Sequence, residues 1–299
     1  MIRPLALAAF ASTLAVAPAV AETVTIDTYI GSAEVATAPE TVAVFDIAAL
    51  DTLDALGLKA DGVVAPLFVD YVADAAEDAA PLGSLFEPDF EAVAAMQPDL
   101  IIAGGRSSKQ VPTLTELAPT IDMTIWEDTI GQGLARLDAY GRIFGKEAEA
   151  ADLAAGLNAK IDEAKAAVAG QGNALIVMTN GPKVSAYGAG GRFGWLHTAL
   201  DLPEAVADVE QATHGEAISF EFIRDADPDI MIVIDRMAAI GQEGDAAAAT
   251  LDNALVHETA AWKNGRVIYL DSAPIYIAGG GVQSLNLTLD SVIAAFAGG

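Results

Sequence analysis

The sequence predicts an α/β protein of two similar lobes with mostly parallel sheets, joined by a single long helix. Three observations carry that prediction. Two segments align without a gap at an offset of 130 residues. Short runs of continuous apolar residues alternate with helical patterns, as expected of strands buried on both faces of parallel sheets. Between the halves lies one stretch of strong helix formers without proline.

Taken in order, the chain opens on Arg3, the only charge before Glu22, followed by an apolar run from Leu5 to Ala17, then Pro18 and Ala19-Val20-Ala21. A short positive start, an apolar stretch and an A-x-A site describe a secretory signal peptide over residues 1–21, and Pro18 with the small residues counts against a membrane anchor. No cysteine follows the cut to carry a lipid, and no later run reaches the ~18 apolar residues a bilayer span needs, so the mature chain is expected in the periplasm or secreted. Val42-Ala-Val-Phe-Asp46 reads as a strand feeding a helix marked by Leu50, Leu53 and Leu56. The first repeat follows: Phe90-Glu91, Pro98-Asp99, Leu100-Ile101-Ile102 and Arg106; its partner is Phe220-Glu221, Pro228-Asp229, Ile230-Met231-Ile232 and Arg236. Each reads as a helix, a Pro-Asp turn, a buried strand and an arginine just past the strand. Asp89 and Ser219 stand where an N-cap belongs, with Glu91 and Glu221 beside the positive end of the helix. Glu147 to Ala169 reads as the bridging helix, ~35 Å long at 1.5 Å per residue. Ala174 to Met178 opens the second half, with a helix after Gly194. These readings give an N-terminal lobe over 22–145, a bridge over 146–170 and a C-terminal lobe over 171–299.

Composition narrows the function classes. The 299 residues hold 42 Asp+Glu against 15 Lys+Arg, a formal net charge of −27, and no cysteine. Such a balance argues against nucleic acid and against an anionic membrane surface. Without cysteine there are no disulfides, no thiolate-bound zinc or iron–sulfur cluster and no thiol nucleophile. The G-x-S-x-G, P-loop and H-E-x-x-H patterns are absent, and Gly188-Ala-Gly190-Gly191-Arg192-Phe193 lacks the third glycine of a dinucleotide loop. His197, His214 and His257 are too scattered for a His-rich metal carrier.

The few basic residues therefore inform most. Arg106, Arg192 and Arg236 occupy loops at expected strand ends, where open α/β sheets bind ligands. Each could instead pair with one of the many carboxylates. Glycines before Arg106 and Arg192 would let a large ligand approach the backbone. Three converging guanidiniums suit a bulky ligand with several negative charges and aromatic faces, properties that a ferric catecholate complex has.

Thr213-His214-Gly215, Ser219-Phe220-Glu221, Asn180-Gly181, Ser185-Ala-Tyr187-Gly188, Arg192-Phe193-Gly194 and Ile234-Asp235-Arg236 resemble the periplasmic binding proteins for catecholate siderophores. So do Gly83-Ser84-Leu85, Glu87-Pro88-Asp89-Phe90-Glu91, Leu251-Asp252-Asn253 and Val267-Ile-Tyr-Leu-Asp271. These belong to the enterobactin and petrobactin uptake type, within the class III iron-complex binding proteins of ABC importers. The resemblance covers nearly all of the mature chain, in order. It implies two Rossmann-like lobes, no catalysis, no intrinsic cofactor, a monomer, and a ferric siderophore delivered to a FecCD-type inner-membrane permease. Carried over by position, Arg106, Arg192 and Arg236 correspond to a cationic triad; Trp195, from its place beside Arg192, is expected to be a ligand-binding residue and fluorescent reporter. His214 and Tyr276 match positions that ligate Fe(III) in some relatives, when a tetradentate siderophore leaves two sites open. Glu91 and Glu221 resemble the paired glutamates that dock on permease arginines. The chain departs from its relatives at Phe86, where they often carry lysine, and at Ser272-Ala-Pro-Ile-Tyr276, which replaces a more aromatic segment. Other chelates (haem, cobalamin, a hydroxamate or carboxylate siderophore) and a periplasmic enzyme using cleft carboxylates stay open as alternatives.

Overall fold

The computed structural model describes residues 22–209, 214–244 and 246–296; residues 1–21, expected from sequence to be a signal peptide, and Thr213 lie outside the described residues. The strands are β1 (Thr23–Thr28), β2 (Gly31–Ala36), β3 (Val42–Val44), β4 (Gly62–Val63), β5 (Ala80–Pro81), β6 (Leu100–Ala103), β7 (Thr120–Asp122), β8 (Ala174–Asn180), β9 (Lys183–Tyr187), β10 (Glu216–Ile218), β11 (Ile230–Asp235) and β12 (Val267–Tyr269). The helices are α1 (Ile47–Ala55), α2 (Phe90–Met96), α3 (Val111–Thr115), α4 (Thr129–Phe144), α5 (Glu147–Val168), α6 (Trp195–Thr198), α7 (Phe220–Ala226), α8 (Arg236–Ala239), α9 (Ala247–Leu251), α10 (Ala260–Lys263), α11 (Ser272–Ile277) and α12 (Val282–Phe296). Beside the N-terminal hairpin β1–β2 stand two five-stranded sheets, ordered β5-β4-β3-β6-β7 and β10-β9-β8-β11-β12.

The repeat marks equivalent places in the two sheets. β6 and β11 each lie one in from an edge, and both are almost wholly buried, which is why they read as unbroken apolar runs. The helices before them are capped as their sequences predict: Asp89 accepts from the Ala92 amide at 3.0 Å, and Ser219 from the Phe222 amide at 3.3 Å. Each helix stops at a residue in the left-handed region, Gln97 or Asp227. The aspartate of each Pro-Asp turn then pins the segment entering the neighbouring parallel strand. Asp99 accepts from the Glu40 and Thr41 amides ahead of β3, and Asp229 from the Asn173 amide ahead of β8.

The lobes differ in one connection. In the first, α1 carries the chain from β3 to β4, so every strand is parallel. In the second, only Gly181-Pro182 separates β8 from β9, and so short a turn makes only an antiparallel pair. The C-terminal sheet is therefore mixed: β9 runs against both β8 and β10, while β8, β11 and β12 are parallel.

Helix α5 joins the lobes. Ala150 packs in the N-terminal core, whereas Leu157, Ala164 and Val168 pack in the C-terminal core, so one apolar stripe serves both. A second helix, which the sequence reading did not single out, does the same. Val282 at the start of α12 belongs to the N-terminal core, and Leu285, Leu289 and Val292 to the C-terminal one. Asp51 in α1 fixes that start, accepting from the Gln283 and Ser284 amides and the Tyr71 hydroxyl, each at 2.8 Å. The bridging helix thus has a companion that is not a covalent link between lobes but a packed brace.

Candidate functional site

A cleft of about 500 Å³ opens between the lobes. Most of its lining follows strands: Asp46 after β3, Arg106 after β6, Trp126 after β7, Arg236 after β11 and Tyr276 after β12. This is the edge at which the strand-end rule places ligands.

The three arginines meet at Tyr276. Arg106, from the N-terminal lobe, donates to the Tyr276 carbonyl at 3.0 Å, and Arg192, from the C-terminal lobe, donates to the same oxygen. Arg236 donates through Nε to the Tyr276 hydroxyl at 3.1 Å and through Nη1 to Asn180 Oδ1 at 3.2 Å. The guanidinium carbons of Arg192 and Arg106 lie 4.4 and 5.2 Å from the centre of the Tyr276 ring, within cation–π range. Among the described residues, no carboxylate forms an ion pair with any of the three. Carbonyl and phenol oxygens hold the guanidiniums in place without neutralising them.

Burial and the neighbouring charge of Arg106 lower the pKa of Arg192, the expected result of crowding desolvated cations. Tyr276 responds in the opposite sense. Burial pushes its phenol up, but the Arg236 hydrogen bond and the charges of Arg192, Arg236 and Arg106 outweigh it, leaving the group below the usual tyrosine value. The cluster therefore eases loss of the phenol proton, which leaves the form that binds a hard metal ion.

The glycines beside the arginines shape the local backbone. Gly105 has φ of +53°, which fits glycine, and a Cβ on Gly104 would meet Thr124 and Asp46 at 3.1 and 3.2 Å. Around Arg192, the Gly191 amide donates to Gly188 and the Gly194 amide to Gly191, each at 2.9 Å. These glycines build the tight turns that carry the arginines, and Gly105 also lines the cleft.

His214 lines the cleft from an exposed position, and Trp195 lines it while only 7% exposed. Glu91 and Glu221 are exposed and stand apart from the lining, in the first turns of α2 and α7. Both helices follow strands, β5 and β10, that run parallel to the other strands feeding the cleft. Glu221 is held below the usual carboxylate range by hydrogen bonds from its own backbone amide and from Ser219.

Sequence reasoning missed Asp46, Lys109 and Trp126, all in the cleft lining. Asp46 closes the run Val42-Ala-Val-Phe45, so the strand-end rule applied to the arginines would have found it. Burial raises its carboxyl pKa, against hydrogen bonds from the α1 amides and the charge of Arg106, which lower it.

The fold and the cleft have the form of a two-lobed solute receptor, and the chain belongs to the Periplasmic binding protein family, whose sequence profile it matches over residues 42–274. Petrobactin-binding protein YclQ of Bacillus subtilis is 38% identical over 261 residues, covering 85% of this chain and 81% of that protein. Ferric-anguibactin-binding protein FatB of Vibrio anguillarum is 32% identical over 282 residues, covering 91% and 87%. Among solved structures, that of the periplasmic catecholate-siderophore binding protein VctP from Vibrio cholerae superposes with a TM-score of 0.84 at 30% identity, covering 91% of this chain and all of that one (100%). Members of the family are binding proteins, and among the described residues no helix is long and apolar enough to cross a membrane.

Proposed function

We propose that this chain captures a ferric siderophore of the catecholate type between its lobes and hands it, unreacted, to an inner-membrane ABC importer with a FecCD-type permease. The observation that carries this reading is the convergence of Arg106, Arg192 and Arg236 on Tyr276, with no carboxylate paired to them among the described residues. Partly desolvated cations held by neutral oxygens are matched by an anionic ligand, and arginine stacks on catechol rings as well as on tyrosine. A neutral ferric hydroxamate would leave those cations unmatched. The ligands in the names of YclQ, FatB and VctP support the same class.

In this reading iron is cargo and arrives inside its chelator. Among the described residues no group of three or more His, Asp or Glu stands close enough to hold a metal ion. The protein's own contribution is at most His214 and the Tyr276 phenolate, filling two positions left by a tetradentate siderophore. Glu91 and Glu221 dock the loaded protein, a monomer exported by its signal peptide, on the permease. Asp46 is the one carboxylate in the described cleft lining, which argues against an enzyme working with paired cleft carboxylates.

Quenching of Trp195 fluorescence tests the reading directly. Titration with a ferric catecholate is expected to saturate at one chelate per chain, and a ferric hydroxamate or haem to leave the emission unchanged. Binding of haem or hydroxamate alone overturns it.

A further inference from the structure

The two walls of the cleft differ in chemistry. The C-terminal lobe presents Arg192 and Arg236. On the N-terminal wall, Arg106 donates to the Tyr276 and Ile277 carbonyls, and Lys109 stands exposed at the lining. The same wall carries two large rings that the fold does not bury: Phe86 is 63% exposed and Trp126 is 43% exposed, and both line the cleft.

These rings sit on fixed backbone. The Ser84 hydroxyl accepts from the Phe86 and Glu87 amides at 3.4 and 3.1 Å, and the Phe86 carbonyl accepts from Gln110 at 3.2 Å. The Trp126 amide donates to Gln132 Oε1 at 2.6 Å. Both loops are pinned while their side chains face open space. Exposed aromatic surface costs hydration free energy, and a ring held ready on a rigid loop has little mobility to lose on stacking.

We infer that Phe86 and Trp126 form an aromatic subsite that takes an uncharged aryl or heteroaryl ring of the chelate. The preferred ligand is then an asymmetric ferric complex with one uncharged ring rather than a threefold tris-catecholate trianion. Its catecholate face meets Arg192 and Arg236, and its neutral ring meets the N-terminal wall. This rests on the siderophore reading and adds to it the ligand's asymmetry and orientation.

Two synthetic tripods serve as probes. One has three catecholamide arms, and its ferric complex is a trianion. In the other, one arm is a neutral 2,2′-bipyridyl, and the ferric complex is a monoanion. Affinities are measured by calorimetry, since Trp126 is itself a fluorophore. The unaltered protein is expected to bind the bipyridyl tripod more tightly. Phe86→Ala and Trp126→Ala should each weaken that tripod by about two- to ten-fold, the range of an aromatic pair, and leave the trianion within about two-fold. Phe86→Lys should shift preference toward the trianion, and Arg192→Ala should weaken both complexes. Equal losses for both tripods, or no loss for either, in the two alanine variants overturns the aromatic subsite while the siderophore reading stands. Failure of the unaltered protein to bind either tripod overturns both.

Discussion

Tyr276 presents two different oxygens to three cations, and the two can be separated by substitution. Tyr276→Phe keeps the carbonyl shared by Arg106 and Arg192 and keeps the stacking ring, but removes the hydroxyl that accepts from Arg236. With a bis-catecholate iron complex, a phenolate-to-iron charge-transfer contribution to the visible spectrum is expected in the unaltered protein and not in the variant; identical spectra would show that Tyr276 is no ligand. Arg192→Ala or Arg236→Ala should each weaken chelate binding by about 1–3 kcal/mol, the scale of a lost charged hydrogen bond. Arg192→Lys should recover only part of that loss, because an ammonium cannot both stack on Tyr276 and present a planar fork. Unchanged affinity in both alanine variants would remove the cluster from recognition. Side-chain chemistry of this kind was legible in the sequence, since an arginine just past an apolar run in an acidic chain stands out. The partner atom was not, because a backbone carbonyl has no letter in the sequence.

The repeated helix–turn–strand unit could be read because each part has a local cause: a capping side chain, a Pro-Asp turn, an apolar run. What remained hidden was set by distant contacts. The register of α12 depends on Asp51, more than two hundred residues away in sequence, and the mixed C-terminal sheet follows from a turn only two residues long. Asp51→Ala would strand two backbone amides and the Tyr71 hydroxyl, and is expected to cost about 2–4 kcal/mol in denaturant melts. The same carboxyl gives a pH dependence with a definite sign. Burial, against hydrogen bonds from Gln283, Tyr71 and Ser284, raises its pKa from 3.8 to about 7. The folded state therefore holds the proton more tightly than the unfolded chain. Its stabilising contribution is full below pH ~4 and is lost as pH rises through ~7. Melts of the unaltered protein and Asp51→Asn should show a stability gap that is larger at pH 5 than at pH 8; a gap that widens with pH would contradict the assignment. Gly280, with φ of +92° and Ile125 at 2.7 Å from any added Cβ, joins α11 to α12, and Gly280→Ala should cost about 1–3 kcal/mol.

Over the whole molecule the arginine cluster is an island in a chain of formal charge −27. An anionic chelate approaches against that field, so its association rate should rise as salt screens the repulsion over ~8–10 Å. Stopped-flow mixing at low and physiological ionic strength checks this; a rate that falls with salt would mean the local cations govern the approach. Reversing both Glu91 and Glu221 should abolish uptake in cells and leave chelate affinity unchanged, whereas retained uptake would exclude them from docking. The Tyr276 carbonyl is grasped by Arg106 from one lobe and by Arg192 from the other. That single oxygen is a clasp across the cleft: a chelate that engages both guanidiniums must share or displace it, so seating of the ligand and loosening of the tie between the lobes are expected to go together.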